Sequence, residues 1–226
     1  MRTSFFFRKR SRQRFHDLVS LGPQSRFGGS IAAVMTSSSH SSSVTTCAPR
    51  GTPSAGHGGP ESDTGRLAEV LRRCAERIGW GIPRTDGHGL GIACHFTFGG
   101  YAAHAFEVSV AGDDLHIHRA VCVVDVGRVV NPLGVEAQMM GGTIDGISTA
   151  LNLAITVKDG EVRQRNFPDY PLLRMAKAPK DVEVIIVEST EEPSGAGEMG
   201  IPGAAPALAN AVYAATTVRV RKLPLM

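Results

Sequence analysis

The sequence predicts an α+β fold: an antiparallel strand meander with a Gly-containing helix and a C-terminal Ala-rich helix. Two patterns carry this reading. Residues 89–125 hold three runs rich in β-branched and aromatic residues, separated by glycine-bearing turns. Residues 63–78 repeat apolar residues at three- and four-residue spacing, and 204–217 form a small-residue run behind a Gly/Pro loop. With 226 residues, 42% of them hydrophobic, the chain is long enough to bury a core.

Residues 1–60 are different material. They carry eight Lys/Arg against a single acid, Asp17, in a chain of formal net charge only +3, so the remainder is net acidic. An Arg-rich stretch, a Ser/Thr-rich stretch and a Gly/Pro-rich stretch follow one another, with too little apolar surface to offset the entropy of ordering them, and disorder is expected. The arm reads as an organelle transit peptide, as a basic cluster (Arg8 to Arg14) for nucleic acid, or as an extension without a role. No aromatic stands within the basic cluster Arg8 to Arg14 itself, and nucleic acid is not an expected partner. Cytoplasmic localisation is the expectation. No run approaches the roughly 18 apolar residues of a membrane-spanning helix. The cysteines, Cys47, Cys74, Cys94 and Cys122, lack metal-site spacing and read as reduced thiols.

Order is expected from residue 61. Asp63 or Thr64 caps a helix whose buried face is Leu67, Val70, Leu71, Cys74 and Ile78, and Gly79 and Gly81 end it. Strands follow at Gly89–Phe98, Tyr101–Val110 and Leu115–Asp125, with turns at Gly99-Gly100 and Gly112-Asp113-Asp114. His116 and His118 share a strand face without a third ligand at a companion position, and no metal site is assigned to them, to His95 or to His104. After Asn131-Pro132 a helical segment spans Leu133–Ala154. Its several glycines each cost about 1 kcal/mol relative to alanine, which close approach of a backbone or a ligand would offset; a kinked or broken helix is the other reading. A hairpin with an Asp159-Gly160 turn, an extended loop at Asn166–Pro171 with Leu172, Leu173 and Met175 turned inward, and a strand over Asp181–Ser189 complete this part. Arg219, Arg221 and Lys222 lie just past the last helix, where cations complement its dipole.

One loop carries chemistry. In Pro193-Ser194-Gly195-Ala196-Gly197-Glu198-Met199-Gly200-Ile201-Pro202-Gly203 a single carboxylate stands among glycines immediately ahead of a helix. Glycines permit tight turns and close ligand approach, so Glu198 is expected on a fixed loop.

Taken together, Ala93–Val110, Val124–Pro132, Ala137-Gln138-Met139-Met140-Gly141-Gly142, Asn166–Pro171, Gly197-Glu198 and Arg219–Leu225 resemble the C-terminal end of the large, molybdopterin-binding subunit of isoquinoline 1-oxidoreductase-type enzymes. These are members of the xanthine dehydrogenase and aldehyde oxidase family of molybdenum hydroxylases. The motifs occur in order over residues 64–226, and residues 1–60 lie outside them. The resemblance implies a molybdenum-molybdopterin cofactor, a small aromatic heterocycle or an aldehyde as substrate with water as the oxygen source, and iron–sulfur clusters on a partner subunit. It makes Glu198 the active-site base, places Gln138 on the pterin, and lets Gly141, Gly142 and Gly197 approach the cofactor. Met199 stands where the family commonly has proline. The family's other cofactor-binding segments have no counterpart in residues 1–90, and the chain corresponds to about a quarter of such a multi-domain subunit. It is therefore expected to be inactive alone and to need the missing N-terminal part of the large subunit. A non-catalytic remnant or assembly module that binds a partner subunit is the alternative.

Overall fold

The computed structural model describes residues 31–36, 51–52, 62–84 and 87–225. The elements, in order, are β1 (Ile31–Thr36), β2 (Gly51–Thr52), β3 (Ser62–Asp63), α1 (Thr64–Ile78), β4 (His88–Thr97), β5 (Gly100–Ala111), β6 (Asp114–Asp125), α2 (Pro132–Asn152), β7 (Val157–Lys158), β8 (Glu161–Val162), a 3-10 turn (Phe167–Asp169), β9 (Val182–Ile186) and α3 (Ala204–Thr216). Most of the disorder expected for residues 1–60 lies outside the described residues, as does Cys47; the described parts of that arm, β1 and β2, pair with β4 and β3.

Five strands form one sheet in the order β1-β4-β5-β6-β9. The β4–β5–β6 meander is antiparallel and β9 runs parallel to β6, so the sheet is mixed. The first turn departs from expectation: Thr97 pairs with Gly100, and the residues of positive φ are Phe98 and Gly99. Gly100 is a strand residue whose missing side chain leaves room for Ser194 and Met199. A bulge at Glu107/Val108 shifts the register against β6, so the core-facing residues change from Leu115 and Ile117 to Ala120, Cys122 and Val124.

Each sheet face carries helices. On one, α1 presents Leu67, Val70, Leu71, Cys74 and Ile78, all buried as predicted, against Leu90, Ile92, Cys94, Ala103, Val121 and Val123. Its caps are those expected: Asp63 accepts from the Gly65 N–H at 2.6 Å, and Gly79 is left-handed. Arg66 donates twice to Asp125, at 2.8 and 2.6 Å, and lies over the Tyr101 ring, fixing α1 to the end of β6.

The other face carries α2 and α3. α3 lies almost on the backbone of β4: a Cβ at Gly91 would stand 2.1 Å from Ala211 N, and one at Gly89 would stand 2.3 Å from Ala211 O. Asn210 adds a hydrogen bond to Ile92 O at 3.1 Å. The tail after α3 is tied locally, where Arg219 stacks on Tyr213 and donates to Asn210 Oδ1 at 2.8 Å, and to α2, where Leu225 N donates to Ala150 O at 2.8 Å.

α2 is one continuous helix with Asn131 as its cap, so the broken-helix reading is corrected. The loop at 166–175 needs a further correction. It contains a 3-10 turn, only Leu173 packs inward, and Leu172 and Met175 are exposed. Proline at 168 and 171 favours a compact turn over an extended run, and Leu173 takes the inward place through its N–H bond to Ser148 Oγ at 2.9 Å. Cys74, Cys94 and Cys122 are buried and form no disulfide among the described residues.

Candidate active site

The loop from Val187 to Gly203 is laid along the end of β6. Val187 N donates to Val124 O, Ser194 N to Val126 O and Arg128 N to Glu191 O, at 2.8, 2.9 and 2.9 Å. Gly127, at φ +73°, has no room for a side chain beside Glu192 O. The loop is thereby carried to the first turns of α2.

There the cap Asn131 and Gly134, Val135, Ala137 and Gln138 of α2 face Ala196 and Gly197 across a groove of about 520 Å³. That lies within the range of small-molecule and cofactor sites. Gln138 and Gly197, both expected at the cofactor, thus line one surface, and both are exposed there. Glu198 follows Gly197 directly and is also exposed. Gly141 lies one turn along from Gln138, and a Cβ there would meet nothing within 4 Å. Gly142 is different. A Cβ on it would stand 2.9 Å from Gly200 Cα, so it is the backbone of the loop that this glycine admits. Gly146 continues the contact, with a Cβ there 2.8 Å from Ile201 O.

Met199 anchors the acid. It is fully buried, packed with Met139, Ala102, Cys122, Val124 and Val126, while its neighbour Glu198 is exposed to solvent. An apolar side chain driven into the core holds the loop without the stiffness of proline. Sequence reasoning missed this anchor; the only local signal was a methionine in an otherwise small and polar loop. Met199→Ala is expected to lower stability by about 3 kcal/mol, as for other buried methionines cut to alanine, measured as a shift of the urea midpoint.

His95 and His104 were read from the sequence only as strand histidines without a metal role. Both are buried on the sheet face beneath the loop. Burial holds His95 down to about 4 and His104 down to about 3, the latter also through His95; hydrogen bonding to the backbone of Met199 for His95 and of Gly200 for His104 acts the other way. No carboxylate is among the groups acting on either ring. Both imidazoles are thus neutral in the folded protein at pH values where the unfolded chain takes up protons. Stability is fully present above about pH 6.5 and is expected to fall as pH drops towards 4, read as urea midpoints at pH 7 and pH 5.

His116 and His118 share a face, as predicted, and are exposed; His118 stacks on His88 and meets Ser109 Oγ at 2.7 Å. Among the described residues no group of three or more His, Cys, Asp or Glu is arranged to hold a metal ion. No helix among them is long and apolar enough to cross a membrane.

Comparison with known proteins gives the chain its family. Residues 83–179 match the molybdopterin cofactor-binding domain family. The chain is 37% identical over 166 residues to the beta subunit of isoquinoline 1-oxidoreductase from Brevundimonas diminuta, covering 71% of this chain and 21% of that protein. It is 32% identical over 180 residues to a membrane-bound aldehyde dehydrogenase (pyrroloquinoline-quinone) from Gluconacetobacter polyoxogenes, covering 74% and 22%. In fold it resembles quinoline 2-oxidoreductase from Pseudomonas putida 86, with a TM-score of 0.52 over 73% of this chain and 22% of that one, at 21% identity. The chain belongs to the molybdopterin-binding subunits of the xanthine dehydrogenase and aldehyde oxidase family. It spans 21 to 22% of the length of the first relatives it matches.

Proposed function

We propose that this chain supplies one wall of a molybdopterin site in an enzyme that hydroxylates an aldehyde or an aromatic N-heterocycle with oxygen from water, with Glu198 as the base. The observation that carries the reading is the single groove that unites Gln138 with Gly197, beside Glu198. The residues suit the group. The Gln138 amide donates and accepts towards a pterin edge, and Gly141 and Gly197 leave open surface that internal packing does not require. When bound, the cofactor supplies the redox chemistry. Glu198 takes a proton from the attacking oxygen, and the loop and α2 hold that carboxylate and the amide in fixed relation.

The remaining walls come from a polypeptide corresponding to the rest of the relatives' length, and electrons leave through an iron–sulfur partner subunit. The chain alone is inactive in this reading. Metal analysis and dye reduction with an aldehyde or a quinoline test it. The chain alone is expected to hold no stoichiometric molybdenum, and co-expression with the complementary part of a relative's large subunit and its iron–sulfur subunit is expected to give both. Stoichiometric molybdenum with turnover in the isolated chain would sink the claim of inactivity. A co-expressed complex that forms without molybdenum, or with a quinone cofactor in its place, would sink the molybdopterin assignment.

One observation favours a second reading, a non-catalytic assembly module. Of the thirteen large hydrophobic residues exposed among those described, six (Ile155, Val157, Val162, Phe167, Leu172 and Met175) fall in one short segment, which concentrates apolar surface where a partner chain would cover it. A chain that co-purifies with a large-subunit partner but restores no activity supports this reading. A monodisperse monomer that ignores every such partner counts against both readings.

A further inference from the structure

Beneath the Glu198 turn lie two imidazoles that the proposed chemistry does not use. His95 and His104 project from one face of β4 and β5, because Ala93 pairs with His104 and His95 with Ala102. Their ring centroids are 6.2 Å apart and their planes 15° from parallel. His95 is 1% exposed and His104 not at all; three of their four ring nitrogens make no hydrogen bond of good geometry, and the groups that act on them are the backbones of Met199, against His95, and of Gly200, against His104. The fourth, His104 Nε2, meets Thr143 Oγ1 of α2 at 3.2 Å. A Cβ at Gly203 would stand 2.4 Å from His104 Nδ1 and 3.1 Å from His95 Nδ1, so the backbone closing the turn rests directly on both rings. Buried ring nitrogens with such poorly formed hydrogen bonds are costly, and an apolar side chain of similar shape would avoid that cost.

The geometry points to a positioning role: His95 and His104 form a platform that sets the turn from Glu198 to Gly203, keyed to α2 by the His104–Thr143 contact. The flat rings give the glycine backbone a floor that branched aliphatics would disrupt. The contact with Thr143 makes the strand pair, the groove helix and the acid-bearing turn move as one body. This rests on the reading of Glu198 as the base.

The turn has its own reporters, since Ile201 N donates to Glu198 O at 3.1 Å and Ala204 N to Ile201 O at 3.2 Å. Amide hydrogen exchange on the purified chain therefore tests the platform without cofactor or activity. His104→Leu and Thr143→Val are expected to speed exchange at Ile201 and Ala204 at least tenfold while the α1 amides keep their rates. His104→Gln places an amide near the former Nε2 and is expected to stay within about threefold of the parent. Should His104→Leu not fold, Thr143→Val and His104→Gln still decide the matter. Unchanged exchange in Thr143→Val, loss in His104→Gln equal to that in Thr143→Val, or parallel loss in α1 overturns the platform. Glu198→Gln is expected to leave these rates unchanged. Failure of the base assignment would appear only as unimpaired turnover of that variant in the assembled enzyme, and so is distinguishable from failure of the platform.

Discussion

Gly91→Val is expected to unfold the chain or strip α3 from the sheet, a loss of about 4–5 kcal/mol or more against a total stability of roughly 5–15 kcal/mol. The new Cβ would stand 2.1 Å from Ala211 N and 2.2 Å from Ala207 O. Both are backbone atoms of a helix held by its own hydrogen bonds, so no rotamer change relieves the collision. Moving α3 outward would also break the Asn210–Ile92 hydrogen bond and lift Ala207 and Ala211 out of the core. Gly89, against Ala211 O and Ala215 N, doubles the constraint. The effect reaches the site, because α3 begins immediately after Gly203. Circular dichroism and urea unfolding measure it. Gly141→Ala is the control: its Cβ meets nothing, and removing a glycine from mid-helix is expected to stabilise the isolated chain by about 0.5–1 kcal/mol. If both variants behave alike, the close packing of α3 on β4 is wrong.

These two glycines show what the sequence could and could not disclose. α1 and the meander were legible because their signals are local: a five-residue apolar stripe between an Asp cap and a glycine, and runs broken by turn residues. The first turn was misplaced because a Gly-Gly pair reads as a turn at both positions, whereas Phe98 takes a positive φ and Gly100 is needed for room beside Met199. The parallel pairing of β9 with β6 depends on partners some sixty residues apart and leaves no local mark. The site divides along the same line. Gln138, Gly197 and Glu198 were singled out through motif resemblance, and the structure adds that Gln138 and Gly197 line one groove. Gly141 and Gly142 are indistinguishable as neighbours in a helix, yet only Gly142 is required by packing, through its contact with Gly200. Met199 and the two histidines matter through what they touch across the fold, which composition and spacing do not encode.

Glu198→Gln is expected to lower turnover of the assembled enzyme by a factor on the order of 10²–10⁴, the range for loss of a general base. Structure, assembly and cofactor content are expected to stay intact. The reason lies in the division of labour between adjacent residues. Glu198 is exposed and its side chain makes no hydrogen bond or ion pair among the described residues, so exchanging an oxygen for an amide leaves nothing in the fold unpaired. The turn is held instead by Met199 in the core, by Gly142 against Gly200, and by the Glu198 backbone carbonyl, which accepts from Ile201 N; the substitution preserves all three. A carboxylate built for stability would show the reverse, a shifted urea midpoint with little change in rate. Met199→Ala separates the two roles from the other side: it is expected to cost stability first and to impair turnover only through the position of its neighbour. Steady-state rates with unfolding curves for the two variants distinguish these cases. Full activity in Glu198→Gln, at unchanged molybdenum content, would remove the carboxylate from the chemistry and leave the loop as a wall of the groove.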